Sequence, residues 1–210
     1  MGLFSDLTGM GKGTSFFDRT RYAKDFELET YTDKRGRQRQ RARYTGPWTV
    51  FRAWDGKARR QLWGAAALAL ALVGAYGAMT LQTHMGSGSL LVMFPLLAGL
   101  FPALYLLFGT AALPFGGKPM RRDQYMHSFI RMSRSATAIG IFALVGQGAN
   151  LTLRAVRKDW LFLRGDWLFV LLGLLSMAGS LALVILLGRA DLTERENGAF
   201  PQSISEPTRE

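Results

Sequence analysis

Apolar residues gather in four long runs after residue 60, and polar stretches separate them. The runs cover about Leu62–Leu81, Ser89–Leu113, Ser135–Leu153 and Trp167–Leu187. Each is near the ~20 residues that carry a helix across the ~30 Å hydrocarbon core. The pattern predicts an all-α membrane protein of about four transmembrane helices (residues 61–189). A small cytoplasmic β-hairpin and interfacial anchor precede it (26–60). A flexible segment at 1–25 and a disordered acidic tail at 190–210 complete the division.

Alternation with period two marks the hairpin, in Phe26–Tyr44 on either side of Lys34-Arg35-Gly36. A three-residue loop ending in Gly36, which adopts positive φ without strain, sets the register. It places Glu27 opposite Arg43, Glu29 opposite Arg41 and Asp33 opposite Arg37, all on one face. Such a charge ladder is structural, each pair contributing ~0.2–1 kcal/mol. The alternative is a docking or lipid-sensing face in which Arg37, Arg39, Arg41 and Arg43 hold anionic lipid or an acidic partner. Trp48, Phe51 and Trp54, interleaved with and followed by Arg52, Lys57, Arg59 and Arg60, read as an interfacial anchor, or alternatively as a lipid-headgroup or partner contact.

Within the runs, small and polar positions carry the information. Gly74 and Ala78 lie four apart on one face of the first span, the spacing that lets helices approach closely. The second span contains Pro95, Gly99 and Pro102, a kink pattern that also lines sites in transporters. Gln147 and Asn150 make the third span the most polar. Amides there either bond across helices or line an aqueous path. Asp123–Arg134, before that span, is expected to form an interfacial helix.

Charge then orients the chain. The net charge is +11, from 26 Lys and Arg against 15 Asp and Glu. Four crossings with a cytoplasmic N-terminus leave only Arg154, Arg157, Lys158 and Arg164 outside, as the positive-inside rule requires. A third span that re-enters instead would leave Arg189, Arg195 and Arg209 outside, with the tail. The first connection, Gln82–Gly88, holds no Lys or Arg. No signal peptide is evident, and the setting that fits is a bacterial plasma membrane.

Composition narrows the chemistry. The chain has no Cys, which excludes thiolate metal sites and iron–sulfur clusters, and its two histidines are His84 and His127. The opening Met1-Gly2 resembles a myristoylation signal, but Asp6 stands where Ser or Thr is required. Gly9–Thr14 fails as a phosphate loop because Gly13 follows Lys12. The basic excess lacks a nucleic-acid reading module. Size invites comparison with small multidrug exporters, yet no span has a central Glu or Asp for proton coupling. No catalytic constellation, cofactor site or metal site is expected. The leading expectation is a non-enzymatic accessory or scaffold subunit held to a membrane-protein partner, or to itself. The alternative is a homo-oligomeric transporter or channel lined by spans two and three.

Overall fold

The computed structural model describes residues 25–32, 36–82, 85–117, 119–157 and 166–195. The chain divides into two compact units, one of residues 1–50, 119–123 and 192–210 and the other of 51–118 and 124–191.

The first unit is built of strands. β1 (Phe26–Thr32) and β2 (Gln38–Tyr44) pair antiparallel, with Glu27 opposite Arg43, Glu29 opposite Arg41 and Phe26 opposite Tyr44. That is the register the alternation predicts, and Gly36 has φ +72° in the turn. The facing side chains of Glu27 and Arg43 are exposed and make no ion pair. An exposed pair gains too little to hold two long side chains together. The hairpin is fixed at its base instead. There the Asp25 carbonyl accepts from the amides of Thr45 (2.8 Å) and Gly46 (3.2 Å). Asp25 is buried and so does not belong to a flexible start.

β3 (Trp48–Phe51) is the middle strand of a second sheet, between β4 (Met120–Arg121) and β5 (Leu192–Arg195). The stretch expected to be an interfacial anchor forms a strand at Trp48–Phe51, and Leu192–Arg195, expected within a disordered tail, is a strand as well. The Thr49 and Trp48 positions pair with Met120 and Arg121. The four-residue runs are too short for periodicity to reveal them. Residues 196–210 lie outside the described residues.

The second unit is helical. α1 (Gly56–Leu81) starts at the N-cap Asp55, whose carboxylate accepts from the Ala58 amide at 2.8 Å. That hydrogen bond holds the Asp55 pKa below its ordinary value. α2 (Leu90–Ala98) and α3 (Leu100–Ala111) form one broken span around Gly99. α4 (Arg122–Tyr125) runs through a π turn at Met126–Ile130 into α5 (Arg131–Arg157), so no separate interfacial helix precedes the third span. α6 (Trp167–Gly188) is the last. Four helical stretches are long and apolar enough to cross a membrane: Gly56–Leu81, Leu90–Ala111, Arg122–Arg157 and Trp167–Gly188.

The helices pack in a ring, α1 against α6, α6 against α5, α5 against α2 and α3, and α3 back against α1. The start of α1 lies beside the end of α6. The Gln61 amide donates to the Leu186 carbonyl at 2.7 Å, and the Arg52 amide donates to the Asp191 carbonyl at 3.0 Å. Fully buried Leu72, Tyr76, Met79, Leu96, Ile139 and Leu183 fill the centre. Close to the α1 start, Gly117 (φ +65°) admits the Trp54 indole, which a Cβ there would strike.

Candidate functional site

Three buried polar residues of the helical unit, Gln147, Asn150 and Arg154, share one stripe of α5. Ala143, Gln147, Asn150 and Arg154 follow at spacings of four, three and four, so they share a helix face, and all four are buried. Gln147 donates from Nε2 to the Phe169 carbonyl of α6 at 2.8 Å, with the Met79 thioether at 3.6 Å. Gly173 makes room for that amide, since a Cβ there would lie 2.0 Å from Nε2. One turn on, Asn150 is 0% exposed, and neither its Oδ1 nor its Nδ2 has a hydrogen-bond partner. Gly86, in the short 3₁₀ turn Met85–Gly88, packs over it, and a Cβ at Gly86 would sit 3.0 Å from Oδ1.

Arg154 then forms an ion pair with Asp166, the N-cap residue of α6, through Nη2 and Oδ2. Both side chains are only 6% exposed. The cation sits in the last turn of α5 and the anion at the start of α6, each at the helix end whose dipole favours its charge. The expected span ended at Leu153. The helix continues past it because Arg154 falls on the buried stripe and finds a counter-ion there.

The kink residues are brought together with a residue that the sequence reading did not single out. Tyr76 of α1 donates its hydroxyl to the Leu96 carbonyl at 2.9 Å, with the Pro95 carbonyl at 3.4 Å. Pro95 is buried, and Gly99 touches the phenol. The Pro95 carbonyl also accepts from the Gly99 amide at 3.0 Å, and the hydroxyl supplies the Leu96 carbonyl where the helix is interrupted at Gly99. A tyrosine in mid-span must find such an acceptor, which is the signal that identifies it. Pro102 is half-buried in the first turn of α3. The seam between α2 and α5 is closed, with Leu96 against Gly146 and Val92 against Gly86. Thus Pro95, Gly99 and Pro102 do not share a surface with Gln147, which bonds to α6.

Gly74 and Ala78 sit elsewhere, on the outward face of α1 with Ala67 and Ala71, all exposed. Nothing lies within 4 Å of a Cβ placed at Gly74. Arg59 and Arg60 are exposed in the first turn of α1, and the Arg60 Nε donates to the Gly56 carbonyl.

In the strand unit, Tyr44 is the centre. Its ring meets Phe26 at 5.2 Å and Trp48 at 5.1 Å, and the Arg121 guanidinium lies 5.7–6.0 Å from all three ring centroids. The Tyr44 hydroxyl donates to the Pro47 carbonyl and accepts from the Arg122 amide. Burial pushes its pKa up, with the carboxylates of Asp25 and Asp123 adding to the rise. Of the hairpin ladder, Glu29 and Arg37 are exposed, while Asp33 and the Arg41 side chain lie outside the described residues. Among the described residues no cluster of His, Asp and Glu could hold a metal ion.

Comparison with protein-family models, with curated proteins and with solved structures finds no match. What the fold itself defines is a mostly helical chain with four helical stretches long and apolar enough to span a membrane, together with small strand sheets.

Proposed function

We propose that this protein is a non-enzymatic accessory or scaffold subunit of a larger complex in a bacterial plasma membrane, with its N-terminus on the cytoplasmic side. The observation that carries the reading is a contrast between outward faces. α2 and α3 expose Leu91, Phe94, Leu97, Phe101 and Leu104, and α6 exposes Leu171, Leu174 and Leu181. Such faces suit lipid chains. α1 exposes Trp63, Leu70 and Leu81 as well, but among them it carries a run of exposed small residues, Ala67, Ala71, Gly74 and Ala78, at the four- and three-residue spacing that admits another helix backbone. The occupant is a transmembrane helix of a partner protein. The Gln147–Phe169 hydrogen bond and the Arg154–Asp166 ion pair tie α5 to α6 within the bundle that carries that face.

The test is mild-detergent extraction of the tagged full chain, followed by mass spectrometry of what co-elutes. A stoichiometric partner is expected. Gly74→Leu meets nothing within the chain, so it leaves the bundle intact and lowers partner recovery by about tenfold, or ~1.4 kcal/mol. Leu174→Phe, on a lipid-facing position, retains the partner. Equal recovery from Gly74→Leu, or elution of the wild-type chain alone, defeats the proposal.

A further inference from the structure

We propose that the groove between α5 and α6 is a binding site for one anionic phospholipid, its acyl chain in the groove and its phosphate on Arg134. The inference rests on the chain being membrane-inserted, and it is independent of any protein partner at α1. The groove has a volume of about 440 Å³ and is lined by Thr137, Gly140, Ile141 and Leu144 of α5, with Leu181 and Val184 of α6. At the floor of the groove Gly140 lets α6 pack closely, because a Cβ there would lie 2.6 Å from the Ser180 hydroxyl.

The hydroxyls in the wall are already used. Thr137 donates to the Ser133 carbonyl at 3.0 Å, and Ser180 donates to the Ala136 carbonyl at 2.5 Å. The remaining lining is hydrocarbon, which suits an acyl chain and offers a polar solute nothing. The rim also argues against a second helix. Ile141, Leu144 and Leu181 are large and more than half exposed, unlike the small residues along α1.

Charge identifies the head of the ligand. Thr137, Ile141 and Leu144 share one face of α5, and Arg134 precedes Thr137 on that face by three residues. Arg134 is exposed, and none of the described acids pairs with it. Arg189, also exposed, follows the last turn of α6 at the same end, because the two helices run antiparallel. An apolar groove between helices that ends in basic side chains matches a lipid tail joined to an anionic headgroup. The long Arg134 side chain can reach the headgroup level while its stem lies along the groove.

The experiment reconstitutes the full chain into vesicles of phosphatidylglycerol and phosphatidylcholine in equal amounts. Insertion is checked by alkaline extraction, and native mass spectrometry after detergent transfer counts retained lipid. The wild type should keep one phosphatidylglycerol in preference to phosphatidylcholine. Arg134→Gln should reduce that preference roughly fivefold, the effect of ~1 kcal/mol from one basic group. Thr137→Trp fills the groove and should lower retention of both lipids. Equal retention of both lipids by an inserted wild type, or unchanged retention in both variants, overturns the site alone. Failure to insert overturns the membrane reading as well. Since the chain has no native Cys, Leu181→Cys tests the competing occupant. A disulfide-linked dimer would assign the groove to a second copy and overturn the lipid site.

Discussion

Gly99 and Tyr76 form a pair in which neither residue can change alone without consequence. A Cβ at position 99 would stand 1.9 Å from the Tyr76 hydroxyl oxygen. Gly99→Ala should therefore destabilise the bundle by about 1–3 kcal/mol, the usual cost of overpacking. Adding Tyr76→Leu removes the phenol and should recover part of that loss, although the Leu96 carbonyl then lacks its donor. Tyr76→Phe alone keeps the ring and should cost about 0.5–1.5 kcal/mol. Unfolding in detergent measures all three, together with Tyr76→Leu alone to close the cycle with Gly99→Ala. A double variant less stable than the sum of the two single changes would contradict the steric account. The sequence exposes one side of this pair. Pro95, Gly99 and Pro102 mark a break by their backbone chemistry, whereas Tyr76 stands in an apolar run whose period does not distinguish it.

At the scale of elements, α5 shows where boundaries go wrong. Charge ends a predicted span, so the sequence pattern puts Arg154 and Asp166 in a connection. In the structure Arg154 is buried because it continues the Gln147 and Asn150 stripe, and Asp166 is buried as its counter-ion. Pairing between residues twelve apart, on two different helices, leaves no periodic trace. The strands β3, β4 and β5 were missed for a related reason, since each is four residues or fewer and its partner lies far along the chain. The hairpin β1–β2 was legible because its partners are local and alternate on both sides of one turn. The ion pair makes a direct prediction. Arg154→Met or Asp166→Asn strands a buried charge and should cost about 3–5 kcal/mol, whereas replacing both residues with apolar ones should be close to neutral. Chemical unfolding of the three variants decides it. Single changes that cost under about 1 kcal/mol would mean that the pair is solvated and not a tie between α5 and α6.

For the whole molecule, the meeting of α1's start with α6's end restricts topology more tightly than charge counting does. Lys and Arg are distributed almost equally well for a four-crossing chain and for one whose third span re-enters. The Gln61–Leu186 and Arg52–Asp191 hydrogen bonds put the first helix's N-terminus and the last helix's C-terminus at one end of the bundle. A chain inserted with that bundle intact crosses an even number of times. Lys57 and Arg189 then face one side, and Gly88, beyond the far end of α1, faces the other. The absence of native Cys allows single-cysteine scanning. With an impermeant maleimide on intact cells, Gly88→Cys should label, while Lys57→Cys and Arg189→Cys should label only after lysis. The cytoplasmic assignment of the latter two comes from the positive-inside rule, so a uniform reversal of all three would invert the orientation and keep the bundle. Labelling of Arg189→Cys together with Gly88→Cys, with Lys57→Cys protected, would require an odd number of crossings and a bundle that opens on insertion.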